Sequence, residues 1–307
     1  MQPREDDGPE EPIIELRLRH YPLLRSGKVR DLFDLGDELL IVATDRLSAF
    51  DVVLPTAIPG KGRILTAISN FWFDRVSDIV PGHRKQRSLN SLNLLKGERK
   101  HLQGRSAIVR KAERIDIECV VRGYLAGSGW KEYQANGTLA GESLPSGLRR
   151  GDGLPDLRFT PAIKNDVGHD QNISRRELAA LVGRDLASQL EMQSLKLFQR
   201  GSAIASQAGF VLADTKFEFG LVDGALTLID EALTPDSSRY WDVRALSSGS
   251  EPPSFDKQIV RDWLETTTWD KTHPGPELPR SIVEETRRRY LLVLERLKQT
   301  GENGAAE

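Results

Sequence analysis

The segment Leu212 to Phe219 reads LADTKFEF, and its alternation constrains the fold more than any other stretch of the chain. In an extended strand successive side chains point to opposite faces, so Asp214, Lys216 and Glu218 stand in a row with Phe217 and Phe219 opposite. Two carboxylates flanking an ammonium make a poor core and a good surface for Mg²⁺ and phosphate. The competing reading is a solvated outer strand with compensating charges, but Asp is disfavoured in strands and a reason for it is wanted.

A return strand, Leu226 to Leu233, follows the turn residues Asp223-Gly224 and carries Asp230 and Glu231. A two-residue turn sets Glu231 opposite Lys216 and sends Asp230 to the other face. A three-residue loop sets Asp230 across from Glu218. The residues alone leave both registers open.

Elsewhere, Gly27 to Phe33 and Glu38 to Thr44 read as strands joined by Asp34-Leu35-Gly36-Asp37, so the N-terminal part opens as antiparallel sheet. Ile64 to Val76 has a helical period. Ser106 to Arg110 and Ile115 to Arg122 are β-like, and Ser143 to Asp156 reads as a surface loop. One long helix is expected from Arg175 to Ala208, with Ser174 as N-cap, Glu177 completing a capping box and Gly209 ending it. A last helix is expected from Ser281 to Lys298. The ends, 1–12 and 301–307, carry too little apolar content to order and read as flexible tails.

The 307 residues hold 43 Lys+Arg against 45 Asp+Glu, a net charge of −2. No global positive field attracts nucleic acid or an anionic membrane, and no apolar run is long enough to span a bilayer. Length gives a prior of about two domains. The single Cys119 excludes an internal disulfide and reads as a buried structural thiol; the N-terminus lacks a signal-peptide pattern, and a cytoplasmic location is expected. One Cys and five His make zinc improbable, which leaves a hard, oxygen-bound metal.

Several loops suit anions. Ser26-Gly27-Lys28-Val29-Arg30 is a Gly-containing turn able to fold over nucleotide phosphates, though with one Gly it also suits an ordinary turn. Arg122 to Gly129 (RGYLAGSG) offers a cation, a hydroxyl and flexible backbone N–H groups, and Thr234 to Arg239 (TPDSSR) offers another Arg with two hydroxyls. Lys164 to Asp170 (KNDVGHD) is a polar loop in which His169 serves as a base or a structural hydrogen bonder. Asp45 to Asp51 follows a strand end, a common place for substrate contacts.

These segments together resemble a known family. TDRLSAFD at Thr44 to Asp51 and LADTKFEFG at Leu212 to Gly220 are similar to signatures of the phosphoribosylaminoimidazole-succinocarboxamide synthase (SAICAR synthetase) family. GKVRDLF, ECVVRGYLAGSGW, VGHD, DEALTPDSSRYWD and FDKQIVRDWL follow in the family's order, covering roughly Leu23 to Tyr290. Lys164-Asn165-Asp166 departs from the Lys-Ala-Glu expected of longer members.

The resemblance implies an α+β, two-lobed fold: an antiparallel-sheet N-terminal lobe (13–114) of kinase-like or ATP-grasp-like character, and a larger mixed α/β lobe (115–300), with ATP in the interlobe cleft. It implies an ATP-dependent ligase that joins carboxyaminoimidazole ribotide (CAIR) to L-aspartate, giving SAICAR, ADP and phosphate through a carboxyl phosphate. Lys216 and Asp214 would be catalytic. Ser26, Gly27, Lys28, Arg30, Arg110 and Lys111 would bind ATP. Glu218 and Asp230 would hold Mg²⁺, and sharing that metal requires the three-residue loop with Asp230 facing Glu218. Arg122, Ser128, Arg239, Ser238, Asp236, Lys164, His169 and Asp51 would contact substrates. No covalent enzyme nucleophile is required, the partners are small molecules, and the chain would be a monomer or small homo-oligomer. The rival readings are a kinase-like phosphotransferase acting on a small metabolite and a non-catalytic nucleotide-binding module.

Overall fold

The computed structural model describes residues 11–164, 170–248 and 251–303. The described residues group into two compact units built from separated segments. One takes the chain up to Ala67, then Arg84–Lys111 and Ile259–Leu292; the other takes Ile68–His83, Ala112–Gln258 and the chain from Val293. The passage from the first to the second at Lys111 lies near the 114/115 boundary, and 68–83 and 259–292 cross that boundary in opposite directions.

The first unit is organised by a four-stranded antiparallel sheet. Strands β1 (Leu23–Ser26), β2 (Arg30–Asp34) and β3 (Glu38–Ala43) follow one another. After the short pair β4 (Ser48–Ala49) and β5 (Val52–Val53), helix α1 (Lys61–Val76) and helix α2 (Lys96–Leu102), strand β6 (Ser106–Arg110) completes the order β1-β2-β3-β6. The β2–β3 turn forms as its composition demands: Gly36 takes φ +87° and its N–H donates to Asp34 Oδ1 at 3.0 Å. Phe33, Leu40, Val42 and Ile108 pack with Ile13, Leu16, Leu92 and Leu102, each such side chain contributing on the order of 1.5–3 kcal/mol by leaving water.

Behind β3, Asp45 is wholly buried and accepts from Arg105 at 2.8 Å, Gly62 N at 2.9 Å and Ile13 N at 2.8 Å. A Cβ on Gly62 would lie 2.1 Å from the Ala43 carbonyl, so only glycine admits this approach. Asp45 thus ties three segments together rather than facing a ligand. The β4–β5 hairpin turns on Phe50 and Asp51, with φ of 52° and 65°. Two non-glycine residues in the left-handed region cost about 1–3 kcal/mol each. The Phe50 ring is held by Trp269, 6.4 Å between centroids, and by Lys271 Nζ, 4.5 Å from its centroid.

The second unit is built on β7 (Glu113–Tyr124). Helix α3 (Gly127–Asn136) follows, then β8 (Thr138–Leu139), β9 (Glu142–Ser143), β10 (Gly153–Phe159), β11 (Ala162–Ile163) and β12 (Gln171–Asn172). Next come α4 (Arg175–Val182), α5 (Arg184–Gln207), β13 (Phe210–Val222), β14 (Ala225–Ile229) and β15 (Ser238–Asp242). The sheet runs β12-β11-β7-β13-β14, with β10 also on β7 and β15 also on β13, every pairing antiparallel. The chain then gives α6 (Gln258–Glu265) and α7 (Arg280–Asn303). Val260, Leu264 and Leu278 pack on Leu47, Ala49, Leu54 and Ile58 as a further core of the first unit.

Three expectations are corrected. The helix from Arg175 to Ala208 is two helices, because Gly183 adopts φ 86° and ψ 153° between α4 and α5; the Ser174–Glu177 capping box forms as read. The expected loop 143–156 gives its ends to β9 and β10, and α7 runs past Lys298 to Asn303. The expected tail at 301–307 is therefore helical through 303, and 1–10 and 304–307 lie outside the described residues.

Strand β13 carries a bulge. Leu212 pairs with Tyr240 and Asp214 with Arg239, so Ala213 is an extra residue opposite a single step of β15. Such a bulge puts consecutive side chains on the same side and shifts the alternation by one. Upstream of it Phe210 and Leu212 face the core with Tyr240; downstream the odd-numbered Phe217 and Phe219 do, all at most 3% exposed. Helix α5 covers that face, packing Phe198 against Gly123 and Gly201 against Leu212.

Candidate active site

The opposite face of β7, β13 and β15 carries the charges. Asp214 pairs in register with Arg122 on one neighbour and Arg239 on the other, and Glu218 pairs with Glu118. Asp214, Lys216 and Glu218 stand on one face, as their spacing requires.

At the upper end of this face Asp214, 5% exposed, binds two guanidiniums through one oxygen: Arg122 at 3.0 Å, and Arg239 in a closer contact. Arg122 also donates to Thr160 Oγ1 at 3.1 Å and Ser128 Oγ at 2.9 Å. Burial pulls Arg122 below its ordinary pKa, with Asp214 resisting. For Arg239 burial acts the same way, but the negative charges of Asp214, Asp256 and Glu251 together outweigh it and the guanidinium ends above its ordinary range. The N-terminus of α3 packs on both: a Cβ on Gly127, whose φ is +54°, would lie 2.3 Å from Arg239 Nη2, and one on Gly129 would lie 3.3 Å from Arg122 Cδ. The N-cap residue Ala126 supplies no side-chain acceptor, and the buried Nε of Arg239 has no hydrogen-bond partner among the described residues. A helix N-terminus without a side-chain cap beside two cations has the chemistry to receive an anion.

Four residues further along β7, roughly 13 Å at strand rise, lies the second cluster. Lys216 Nζ donates to Glu118 Oε1 and stands 4.0 Å from Glu218 Oε1, while Lys164 Nζ donates to Glu218 Oε2. Asp170 shares a hydrogen bond with Glu118, and the charge of Asp230 acts on Lys216. Burial opposes the Lys216 charge, but Glu118 and Glu218 outweigh it and hold the ammonium above its ordinary range. Glu118 is pushed up to about 7 by burial, against the pull of Lys216 and with Asp170 adding to the rise. The two shifts agree: carboxylates outnumber ammoniums here, so Lys216 stays charged while Glu118 holds a proton readily.

The hairpin register is corrected. Val222 pairs with Ala225 across a two-residue Asp223-Gly224 turn, and Glu218 pairs with Ile229 rather than Asp230. Strand β14 ends at Ile229 and Asp230 takes φ 64°. That left-handed turn, not strand pairing, brings its charge to bear on Lys216. Glu231 accepts from Thr234 Oγ1 at 2.5 Å instead of joining the row.

In the first unit, Ser26, Gly27, Lys28 and Arg30 lie around the β1–β2 turn. Ser26 Oγ donates to Asp31 at 2.7 Å, Gly27 N to the Arg30 carbonyl at 2.7 Å, and Lys28 Nζ to Asp51. Arg110 ends β6, and Lys111 Nζ donates to Asp34 at 2.8 Å. In the second unit Ser238 is buried with its hydroxyl 2.7 Å from Thr215 Oγ1, and Asp236 pairs with Lys257 at 3.2 Å. His169, Asn165 and Asp166 lie outside the described residues. Cys119 is fully buried, and burial raises its thiol pKa. Sequence reasoning passed over Glu118, whose signal was an acid inside the apolar run Ile117 to Val121, and gave no individual role to Arg46 or Lys257, although both lie in marked segments, TDRLSAFD and FDKQIVRDWL.

This mixed α+β architecture with antiparallel sheets is shared with solved structures. A SAICAR synthase from Saccharomyces cerevisiae complexed with SAICAR superposes with a TM-score of 0.85 at 38% identity, over 93% of this chain and 97% of that one. A SAICAR synthetase in complex with ADP has the same fold at 24% identity, with a TM-score of 0.65 over 88% of this chain and 96% of that one. The phosphoribosylaminoimidazole-succinocarboxamide synthase of Elusimicrobium minutum is 49% identical over 283 residues, 91% of this chain and 97% of that protein.

The fold class is therefore that of the SAICAR synthetases. Residues 23–276 match the SAICAR synthetase family model, and the chain belongs to that family of purine-biosynthetic ligases.

Proposed function

We propose that the chain joins the carboxylate of CAIR to the amine of L-aspartate at the expense of ATP, giving SAICAR, ADP and phosphate. The carrying observation is that one sheet face holds both the Arg122–Asp214–Arg239 row and the Lys164–Glu218–Lys216–Glu118 cluster. The first suits the ribotide phosphate, taken by Arg239, Ser128 and the N–H groups opening α3, with Asp236 and Ser238 nearby in sequence. The second suits a carboxylate undergoing phosphorylation, and Lys164 would meet the ribotide or aspartate carboxylates. The named relatives, one complexed with SAICAR and one with ADP, support the same reading.

A carboxylate is unreactive toward an amine, so activation comes first. A ribotide carboxylate oxygen attacks the γ-phosphorus of ATP, the bond to the β-phosphate oxygen breaks, and ADP leaves. The neutral aspartate amine then attacks the acyl carbon, the C–O bond to phosphate breaks, and the departing phosphate takes up the amine proton. Lys216 and Lys164 neutralise charge on the transferring group while the arginines fix the ribotide, so positioning and electrostatics carry the rate. Asp214 acts by holding the two arginines.

Among the described residues no three Asp, Glu, His or Cys side chains gather closely enough to hold a metal unaided. Two carboxylates supplemented by nucleotide phosphates is the donor set Mg²⁺ favours, and Glu218 and Asp230 fit it. Bound there, Mg²⁺ supplies neutralisation of the phosphate charge. Ser26, Gly27, Lys28, Arg30, Arg110 and Lys111 would serve ATP in a kinase-like or ATP-grasp-like manner, and Asp51 would act through Lys28. A cytoplasmic monomer or small homo-oligomer belongs to the same proposal.

A coupled assay of ADP release with each substrate omitted in turn tests it. ADP release requiring ribotide, with phosphate release requiring aspartate as well, is the expected result; phosphate transfer to a metabolite independent of aspartate overturns it. Ribotide labelled with oxygen-18 in its carboxylate should pass label to the released phosphate.

A further inference from the structure

We propose that Arg46 is the positioning residue of the phosphate loop, holding the Ser26–Arg30 turn in the shape that receives the nucleotide. The inference rests on the reading that this turn covers the ATP phosphates. Arg46 donates through Nη2 to the Gly27 carbonyl at 2.9 Å and through Nε to the Lys28 carbonyl at 3.3 Å. Thr44 holds the next one: its N and Oγ1 donate to the Val29 carbonyl at 2.9 and 2.8 Å. Three successive carbonyls are thus drawn toward the segment after β3.

A trans peptide is planar, with its C=O and N–H on opposite sides. Drawing the Gly27 and Lys28 carbonyls toward Arg46 therefore turns the N–H groups of Lys28 and Val29 away from it. Successive outward N–H groups on a turn make an anion-binding concavity, and the Lys28 ammonium lies on the same turn. Arg46 is fixed in its own right. Its Nη2 donates to Asp31 Oδ1 at 2.7 Å, its Nη1 reaches the Ile14 carbonyl, and Asp31, 2% exposed, also accepts from Ser26 at 2.7 Å. The guanidinium fork satisfies several acceptors in one plane, which an ammonium cannot do. Asp31 orients Arg46, and Arg46 orients the loop.

The test is steady-state kinetics on the full chain with Arg46→Lys and Asp31→Asn, each substrate varied in turn. The expected result is a rise of about tenfold or more in KM for ATP, with kcat and the KM for ribotide and aspartate within about twofold. An unchanged KM for ATP in a folded Arg46→Lys protein overturns the proposal, as does a parallel loss in kcat and all three KM values. If Arg46→Lys does not fold, Asp31→Asn gives the reading; if neither folds, both residues are structural and the proposal falls. Lys28→Ala separates the underlying reading: an unchanged KM for ATP in that variant means that the turn does not serve the phosphates, whatever Arg46 does.

Discussion

Replacing Asp214 by Asn tests whether this residue organises the ribotide site or takes part in the chemistry. Asp214 binds Arg122 at 3.0 Å and Arg239 through the same oxygen, and Asp214 and Arg122 are 5% and 4% exposed. Removing one partner of a buried ion pair costs about 3–5 kcal/mol. Two guanidiniums sharing one oxygen sit roughly 5 Å apart, and at an effective dielectric of about 20 their exposed repulsion is about 3 kcal/mol. Asparagine keeps the shape and one acceptor, so the expected loss is at the low end, about 3 kcal/mol, or about 6–12 °C in Tm at the 2–4 °C per kcal/mol typical of larger domains. Urea and thermal unfolding measure it. Inorganic phosphate should stabilise the variant more than the parent, because an anion at α3 replaces the lost charge. Stability within about 0.5 kcal/mol of the parent, the range of ordinary surface changes, would refute the argument; undiminished stability with turnover abolished would return Asp214 to the chemistry.

Lys216→Ala should abolish turnover while circular dichroism and ribotide binding persist, since it removes charge neutralisation but keeps the anion site; near-normal kcat removes Lys216 from the mechanism. Glu118→Gln should change the pH dependence of stability. The folded protein holds this proton up to about 7 against an ordinary 4.5, so its contribution is present at low pH and lost as pH rises through 7. The variant should lose that fall between pH 5 and 8 in urea midpoints, and an unaltered profile counts against the assigned shift. Gly127→Ala should raise KM for the ribotide at least about tenfold with KM for ATP unchanged, because its Cβ would meet Arg239 at 2.3 Å; calorimetry with ribotide checks it. Gly62→Ala should destabilise by several kcal/mol through the 2.1 Å approach to the Ala43 carbonyl, read as a lowered urea midpoint with no selective change in any KM.

Local chemistry made much of the architecture readable. Asp34 to Asp37 turned where its composition said, Ser174 and Glu177 capped α4, and the alternation of Lys216 and Glu218 with Phe217 and Phe219 put charge on one face. Failures came where one residue decides between equal local options. Gly183 ends α4 although apolar periodicity continues into α5. Asp223-Gly224 tolerates either loop length, and a metal shared by Glu218 and Asp230 argues for the longer; a positive φ at Asp230 brings its charge near without that register. Arg46, like Lys257, acquires meaning only from partners distant in sequence.

The extra residue Ala213 in β13 has a consequence for how this family can vary. It works as a phase shifter between two stretches of one strand: Phe210 and Leu212 keep even-numbered positions inward, Phe217 and Phe219 odd-numbered ones. Substitution anywhere along the strand leaves that phase intact, and deleting Ala213 would close the bulge into plain alternation with Phe217 and Phe219 still inward, whereas deleting Phe217 would bring Glu218 into the hydrocarbon under α5 and turn Phe219 outward. Chain length beyond the bulge should therefore be fixed more rigidly than residue identity, and a library of one-residue deletions along β13 should tolerate loss of Ala213 best and find its least tolerant positions from Lys216 to Phe219.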